Sequence, residues 1–214
     1  MQREKFWDIL SNVSTRLGIF GGSFDPPHIG HLILASEARA QLDLTRVLWV
    51  LTPAPPHKLD QELSGLKERS AMLKLAVKDE PAFELSTVEL ERPGPHYTLD
   101  TLKILSGQNP NSELVLLLGG DSLRDLPSWH LPAYLVAACQ QIGVMSRPGP
   151  PTSLPDLEKT IPGLSSKVRF IEAPLLGIAS REIRRRVSEG LPFRYYLLPS
   201  IYDYIQTHKL YRGK

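Results

Sequence analysis

Short apolar runs alternate with amphipathic segments along most of the chain, and each apolar run predicts a buried strand. The predicted strands are Arg16–Phe20, Arg46–Thr52, Ala82–Thr87, Glu113–Asp121, Gln140–Gly149 and Val168–Pro174. The range given for the fifth strand includes the loop that follows it. The segments with helical periodicity are Ile29–Leu42, Gly65–Asp79, Tyr97–Gly107, Ser180–Glu189 and Ser200–Lys209. Gly107 is the predicted stop of the third helix, because glycine commonly ends helices. The proline-rich segment Ser146–Ser166 predicts a long surface loop with one short helix.

Strands that alternate with helices predict an α/β fold, here a Rossmann-like, doubly wound parallel sheet with a C-terminal helical segment. The strands are continuous apolar runs, which is typical of strands covered on both faces. Residues 1–14 are interpreted as an N-terminal extension. Ligands of such folds bind beyond the carboxyl ends of the strands. We therefore expect four strand-end segments to converge, namely Gly21–His28, Thr52–Lys58, Gly119–Leu123 and Ser146–Gly149.

Composition limits the class of protein. The 214 residues carry a net charge of +2, which is too small to indicate nucleic acid as the main partner. The one cysteine, Cys139, excludes an internal disulfide and favours a reducing, cytoplasmic setting, with a buried apolar role for its thiol. The sequence predicts neither a signal peptide nor a membrane span, and it leaves a homo-oligomer open.

The segment GIFGGSFDPPHIGHLILASEARA concentrates unusual residues in one turn. Gly21 and Gly22 directly follow the first predicted strand, where glycine lets backbone N–H groups approach an anion. His28 and His31 lie three positions apart at the start of a helix, so they project from one face near the positive end of the helix dipole. Gly30 between them leaves room for a bulky ligand group. The pattern predicts a phosphate site whose histidines donate hydrogen bonds as charge develops.

This turn resembles the (H/T)xGH signature of the nucleotidyltransferase superfamily, which class I aminoacyl-tRNA synthetases share. The chain is too short for a synthetase and offers no convincing second, lysine-rich signature. Four further segments follow in order: PAPPHK, ERPGPHYTLDTL, GGDSLRDLPSWHLPAYL and IASREIRRRVSEGLPFRYYLLPSIYDYIQTHKLY. In this order and spacing they are similar to bacterial nicotinate-nucleotide adenylyltransferases, from about Leu17 to Tyr211. Residues 15–214 are accordingly identified as a single nucleotidyltransferase domain.

The resemblance implies adenylyl transfer from ATP to nicotinate mononucleotide, which gives deamido-NAD and pyrophosphate in NAD biosynthesis. The implied catalytic residues are His28, His31, Lys58 and Arg184. The implied ATP-binding residues are Gly21, Gly22, Ser23, Phe24, Gly30, Gly119, Asp121, Arg147, Ile178, Ser180 and Arg181. The implied mononucleotide-binding residues are Tyr97, Thr98 and Trp129. Mg²⁺ is expected to enter on the ATP phosphates, without a dedicated metal site on the protein.

Four positions depart from the family pattern. Ser23 replaces a threonine and keeps its hydroxyl, whereas His96 replaces a small hydroxyl residue. Ala179 and Arg181 replace two hydroxyl residues of a phosphate-binding motif, and Arg181 is interpreted as replacing a lost hydroxyl contact. The loop Gly94–Thr98 is expected to offer backbone N–H groups to the nicotinate carboxylate, which favours the acid substrate over its amide.

Structural interpretations stay open beside the functional ones. Thr98 and Asp121 fit helix caps, Trp129 fits core packing, and Arg185 and Arg186 fit a solvated helix face. Two alternatives at the level of function also stay open. One is a nicotinamide-mononucleotide adenylyltransferase or another small-molecule adenylyl- or cytidylyltransferase, such as a pantetheine-phosphate enzyme. The other is a catalytically silent nucleotide-binding sensor.

Overall fold

The computed structural model of the protein describes residues 15–55, 63–146, 152–174 and 176–212. Its strands are β1 (Thr15–Gly22), β2 (Arg46–Leu51), β3 (Phe83–Ser86), β4 (Ser112–Gly119), β5 (Gln141–Met145) and β6 (Val168–Ile171). They form one parallel sheet in the order β3-β2-β1-β4-β5-β6. Each strand coincides with a predicted apolar run, so the predicted parallel α/β sheet is confirmed. The predicted extension at residues 1–14 lies outside the described residues.

Helices connect the strands. The helices of the described ranges are α1 (Ile29–Gln41), α2 (Leu66–Val77), α3 (Thr98–Gln108), α4 (Gly120–Asp125), α5 (Pro132–Ala138), α6 (Leu154–Thr160), α7 (Leu164–Lys167), α8 (Ser180–Ser188) and α9 (Pro199–Thr207). Short 3₁₀ turns occur at Leu126–Ser128 and Arg194–Tyr196. The second of these turns, together with α8 and α9, forms the predicted C-terminal helical segment.

Two predictions about helices were wrong, and two helices were missed. Gly107 does not end α3, because the helix continues through Gln108 and is closed by Asn109, whose Nδ2 donates to the Leu105 carbonyl oxygen at 2.9 Å. The segment that follows β5 contains two short helices, α6 and α7, instead of one. Helices α4 and α5 were not predicted. They have 6 and 7 residues, which is too short for a helical period to stand out from the sequence.

Side chains of the inner strands β1, β2, β4 and β5 alternate between two hydrophobic clusters on opposite faces of the sheet. In β4, Val115 and Leu117 join the cluster that also contains residues of α1, α2, α8 and α9. Leu114, Leu116 and Leu118 join the other cluster, with residues of α3 to α7. Helices therefore cover both faces of the sheet, which confirms the doubly wound architecture and explains why the inner strands carry no polar face.

The order of the strands places the topological switch point between β1 and β4. From β1 the chain continues outward to β2 and β3, and from β4 it continues outward to β5 and β6 in the opposite direction. The crevice beyond the carboxyl ends of two such strands is where ligands of open α/β sheets bind. The glycine-rich turn follows β1 directly, so the fold brings this turn to the expected edge.

Two expectations drawn from composition concern burial and membrane spans. Cys139 is buried in the second cluster, as expected, and burial raises the pKa of its thiol to about 12. Among the helices of the described ranges, none combines the length and the apolar composition needed to cross a bilayer.

Candidate active site

The glycine-rich turn is held close to the sheet by packing. Gly22 pairs with Leu51 at the end of β1, and the chain then turns at Phe24, whose φ of 45° lies in the left-handed region. The Phe24 ring is 2% exposed and packs edge-on against Phe20, with ring centroids 5.4 Å apart. A Cβ atom at Gly22 would lie 3.1 Å from this ring, so any other residue here would require the Phe24 ring to shift. The turn is therefore anchored by one buried aromatic side chain.

Two histidines stack at the start of α1. His28 occupies the N-cap position, and its ring centroid lies 3.7 Å from that of His31, with 20° between the ring planes. His28 is 1% exposed, whereas His31 is half-buried. The backbone N–H of His28 donates to Nδ1 of His31 at 3.2 Å. Because Nδ1 accepts this bond, the neutral imidazole of His31 carries its proton on Nε2, which makes Nε2–H its donor.

Gly30 serves the histidine pair in a different way from the predicted one. A Cβ atom at Gly30 would lie 3.1 Å from Nδ1 of His28 and 3.9 Å from Cβ of Ile178. The space beside Gly30 is therefore filled by the His28 ring and does not remain open for a ligand group. Ile178 comes from the loop before α8, so the structure brings together three of the predicted residues from distant parts of the sequence.

Arg69 ties the ends of β1 and β2 together, and sequence reasoning missed it. The guanidinium donates to four carbonyl oxygens, those of Ser64 (3.0 Å), Ser23 (3.1 Å), Thr52 (2.8 Å) and Pro53 (2.7 Å). Arg69 is 3% exposed, and burial lowers the pKa of its guanidinium, an effect that the Asp25 carboxylate opposes. A signal existed in the sequence, because Arg69 interrupts the apolar stripe of α2, where a charge needs buried partners.

Helix α8 contacts the glycine-rich turn through the two predicted residues on one of its faces. The Ser180 hydroxyl donates to the Pro26 carbonyl oxygen at 2.9 Å. Nη1 of Arg184 donates to the Asp25 carbonyl oxygen at 2.7 Å and lies 4.0 Å from the Asp25 carboxylate oxygen Oδ2. Ile183, which lies between them in sequence, is buried in the core. The structure thus joins Ser180 and Arg184, which lie one helical turn apart on the same face of α8, to the histidine-bearing turn.

The beginning of α8 shows the effect of the departures from the family pattern. Ala179 occupies the N-cap position with extended backbone, φ −138° and ψ 145°, and no side chain caps the helix there. Arg181 is exposed in the first turn of the helix. The contact of Arg181 with ATP phosphates therefore stays a prediction, and the missing cap is a direct consequence of alanine at position 179.

The predicted solvated arginines of α8 differ from each other. Arg185 is exposed and pairs with Glu182, its Nη2 lying 2.8 Å from Oε1. Arg186 is half-buried, since its Nε donates to the Pro192 carbonyl oxygen at 2.7 Å and its guanidinium lies 5.1 Å from the Tyr196 ring centroid. The interpretation as a solvated face is confirmed for Arg185 and is wrong for Arg186, which joins α8 to the segment that follows it.

The predicted mononucleotide residues lie on two neighbouring segments. Tyr97 is the N-cap residue of α3, and Thr98 is the first residue inside that helix, so Thr98 is not the cap. The Tyr97 ring stacks on His130, with centroids 4.0 Å apart and 17° between planes. Trp129 is half-buried and packs partly against the second core cluster. His130 joins the two segments and was missed, because nothing in the sequence pairs it with Tyr97.

A buried polar cluster lies beneath this loop. Glu89 is 4% exposed and accepts a hydrogen bond from the Thr101 hydroxyl at 2.6 Å. Arg92 donates to the Thr101 hydroxyl oxygen at 3.0 Å and to the carbonyl oxygen of Pro95 at 3.0 Å. Burial raises the pKa of the Glu89 carboxyl, whereas burial and the nearby Arg92 charge lower the pKa of His96. His96 is therefore neutral at pH 7, and the loop is held from below by the half-buried Arg92 and the buried Glu89.

The remaining predicted residues fall into two groups. Gly119 ends β4 and is the N-cap residue of α4, so Asp121, which lies in the first turn and 3.5 Å from Arg124, is not the cap. Lys58 and Arg147 lie outside the described residues. Within the described ranges there is no cluster of three or more histidine, cysteine, aspartate or glutamate side chains suited to a metal ion.

Comparisons with known proteins find one matching family and several named relatives. The family model described as cytidylyltransferase-like matches residues 19–186. A protein of Thermomicrobium roseum named "Probable nicotinate-nucleotide adenylyltransferase" is 43% identical over 198 residues, 92% of this chain and 92% of the relative. A protein of Roseiflexus sp. with the same name is 43% identical over 200 residues, 93% of this chain and 99% of the relative.

Solved structures show the same fold. The structure titled "Plasmodium falciparum nicotinic acid mononucleotide adenylyltransferase complexed with NaAD" has a TM-score of 0.77, with 92% of this chain and 97% of that chain covered. A second structure of that protein, complexed with APC, has a TM-score of 0.73 over 92% of this chain and 97% of that chain. Their sequences are 23% and 22% identical to this one, so the likeness extends to the fold alone.

Proposed function

The chain belongs to the cytidylyltransferase-like family and, within it, to the nicotinate-nucleotide adenylyltransferases, and we propose that it joins ATP to nicotinate mononucleotide in NAD biosynthesis. It is a nucleotidyltransferase. A phosphate oxygen of the mononucleotide forms a bond to the α-phosphorus of ATP. The bond from that phosphorus to the bridging oxygen breaks, and pyrophosphate leaves with this electron pair. The other product is deamido-NAD.

The stacked His28 and His31 pair at the switch point of the sheet is the observation that carries this proposal. Phosphoryl-group transfer needs little covalent chemistry from the protein and depends on positioning and charge stabilisation. The Nε2–H donor of His31, the amides of the glycine-rich turn and the N-terminus of α1 all favour an anion at this place. The arrangement supports an α-phosphate that gains negative charge as the new bond forms.

Further roles follow the family motif residue by residue. The proposed catalytic groups are His28, His31, Arg184 and Lys58. The proposed ATP contacts are Gly21, Gly22, Ser23, Phe24, Gly119, Asp121, Arg147, Ile178, Ser180 and Arg181. ATP enters as its Mg²⁺ complex, because Mg²⁺ is commonly bound through the phosphates of a nucleotide substrate. A cytoplasmic setting is part of this proposal, and the free, buried thiol of Cys139 supports it.

Backbone N–H groups at the beginning of α3 support binding of the acid substrate, although fewer of them are available than the sequence predicted. Pro95 has no N–H group, and the Tyr97 N–H donates to the Pro95 carbonyl oxygen at 3.2 Å. The Thr98 and Leu99 amides lie in the first turn, where N–H groups lack acceptors within the helix. They suit a carboxylate better than an amide, whose NH₂ would face a donor. Because His96 is neutral at pH 7, it adds no charge to this discrimination.

A panel of acceptors tests the proposal. Pyrophosphate release from Mg·ATP is measured with nicotinate mononucleotide, nicotinamide mononucleotide, pantetheine phosphate or no acceptor, at neutral and mildly alkaline pH. We expect turnover with the acid, much weaker turnover with the amide, and a ratio that stays constant over this pH range. Equal use of the amide contradicts the substrate assignment but keeps adenylyl transfer. ATP binding without turnover on any acceptor would favour the nucleotide sensor.

A further inference from the structure

We propose that Tyr211 is a positioning residue for adenylyl transfer, which acts through the Asp25 carboxylate on the turn that carries the catalytic histidines. The expected effect of Tyr211 on kcat rests on the proposed function. The Tyr211 hydroxyl donates to Oδ1 of Asp25 at 2.7 Å, across 186 positions of sequence. Asp25 lies within the glycine-rich turn, three residues before His28.

The contact matters because the Asp25 carboxylate is buried. Asp25 is 1% exposed, and its second oxygen, Oδ2, accepts a hydrogen bond from the Ser64 N–H at 3.0 Å. Arg184 lies 4.0 Å from the same oxygen. Each carboxylate oxygen therefore has one close donor, and Tyr211 is the donor to Oδ1. A buried carboxylate that loses such a donor is left with unsatisfied hydrogen-bonding capacity, which is costly in a low-dielectric interior.

Two backbone groups of the same turn are bound by helix α8. The carbonyl oxygens of Asp25 and Pro26 accept hydrogen bonds from Arg184 and Ser180 of α8. Tyr211 adds the side chain of Asp25 to these two backbone contacts. The segment that precedes His28 is thus held at three points by residues from the C-terminal part of the protein, and the position of the His28 ring depends on all three.

Tyr211 is suited to act as a permanent donor. Its ring belongs to the hydrophobic side chains packed on the first core cluster, and its hydroxyl also lies 3.9 Å from the sulfur of Met72. Burial and the adjacent charge of Asp25 raise the pKa of the Tyr211 phenol. The hydroxyl therefore keeps its proton throughout the pH range of an assay and remains a hydrogen-bond donor to Asp25.

The experiment compares Tyr211→Phe with Tyr204→Phe, which removes a hydroxyl from the same C-terminal segment but from a ring that packs against His208. We expect Tyr211→Phe to lower kcat by about ten- to a hundredfold, because a small misplacement of catalytic groups is that costly. KM for nicotinate mononucleotide should change by less than about threefold, because the binding groups stay in place. Hydrogen exchange of the backbone amides in residues 22–31 should rise in Tyr211→Phe and not in Tyr204→Phe.

A double-mutant cycle with Asp25→Asn identifies the path of the effect. If Tyr211 acts through Asp25, the double variant loses no more kcat than Asp25→Asn alone. Independent losses that multiply would overturn the proposal, and so would unchanged kcat and hydrogen exchange in Tyr211→Phe. If Asp25→Asn does not fold, the comparison of the two tyrosine variants decides by itself. An inactive wild-type protein with raised exchange in Tyr211→Phe would contradict the proposed function and support the positioning of the turn.

Discussion

The imidazole rings of His28 and His31 are stacked at a centroid distance of 3.7 Å, and His31 Nδ1 accepts a hydrogen bond from the His28 backbone N–H at 3.2 Å. The two nitrogens of His31 therefore have separate tasks. Nδ1 helps to cap helix α1, and Nε2 carries the proton that can reach a phosphate. This division separates the structural role of the residue from its proposed catalytic role, and substitutions can test each role independently.

Replacing His31 by asparagine should keep the cap and remove the catalytic donor. The asparagine oxygen can take the place of Nδ1, so we expect stability close to wild type and a kcat lower by about 10²–10³-fold. Glutamine places an N–H near the position of Nε2, and His31→Gln should recover part of the lost kcat. Thermal unfolding and steady-state kinetics of both variants check this. Equal kcat in the asparagine variant and the wild type would show that Nε2 is not the donor.

Replacing Gly30 by alanine should displace the His28 ring, since the new Cβ would lie 3.1 Å from Nδ1 of His28. We expect kcat to fall by about tenfold or more, by misplacement of a catalytic group. The matched control is Gly107→Ala, at an exposed position in α3. The new Cβ atom there would meet no other group within 4 Å. The control should leave kcat unchanged and stabilise the helix by about 0.5–1 kcal/mol. A Gly30→Ala enzyme with wild-type kcat contradicts the packing argument.

Removing the guanidinium of Arg184 should weaken ATP binding more than mononucleotide binding. A lost hydrogen bond to a charged group costs about 1.5–3 kcal/mol, so KM for ATP should rise about ten- to hundredfold in Arg184→Ala. Arg185→Ala, on the exposed face of the same helix, should change KM for ATP by less than about twofold. Equal damage from both substitutions would refute the assignment of helix faces. Separate measurement of KM for the two substrates provides the test.

Ala179→Ser should stabilise the protein, because the N-cap position of α8 has the extended backbone of a cap but no side-chain acceptor. The gain should be about 1 kcal/mol, a typical value for a serine cap. A change of this size raises Tm by about 2–4 °C in a chain of this length. The control is Ala137→Ser, near the end of α5, where a hydroxyl caps no N–H group. Differential scanning calorimetry without ATP compares the two, and equal shifts would contradict the capping argument.

Glu89→Gln should stabilise the protein at neutral and alkaline pH. Burial raises the pKa of the Glu89 carboxyl above its ordinary value of 4.5. The folded state therefore binds this proton more tightly than the unfolded state, and stability falls as the pH rises from about 4.5 through the folded pKa. The gain from glutamine should be absent below that window and full above it. Urea unfolding over a pH series measures the difference, with the exposed Glu91→Gln as control. A gain that does not vary with pH contradicts the ionisation argument.

The sequence by itself determined the elements and the local part of the site. Apolar runs and helical periods depend on neighbours a few residues away, so the strands of the sheet and the main helices could be predicted, as could the doubly wound fold. The i, i+3 spacing of His28 and His31 and the i, i+4 spacing of Ser180 and Arg184 are likewise properties of one helical turn. The helices α4 and α5 were not predicted, because a segment of 6 or 7 residues spans too few turns to show a helical period.

Only the tertiary structure decided which side chains hold the histidine-bearing turn. Arg69 reaches three carbonyl oxygens at the ends of two strands and a fourth just before α2, and Tyr211 reaches Asp25 from the other end of the chain. The stack of Tyr97 on His130 has the same origin. These contacts depend on the order of strands and on how helices pack against them, and no local period in the sequence records that information. Burial makes the loss of these contacts costly in free energy, because a charge or carbonyl removed from water needs the partner that only the fold supplies.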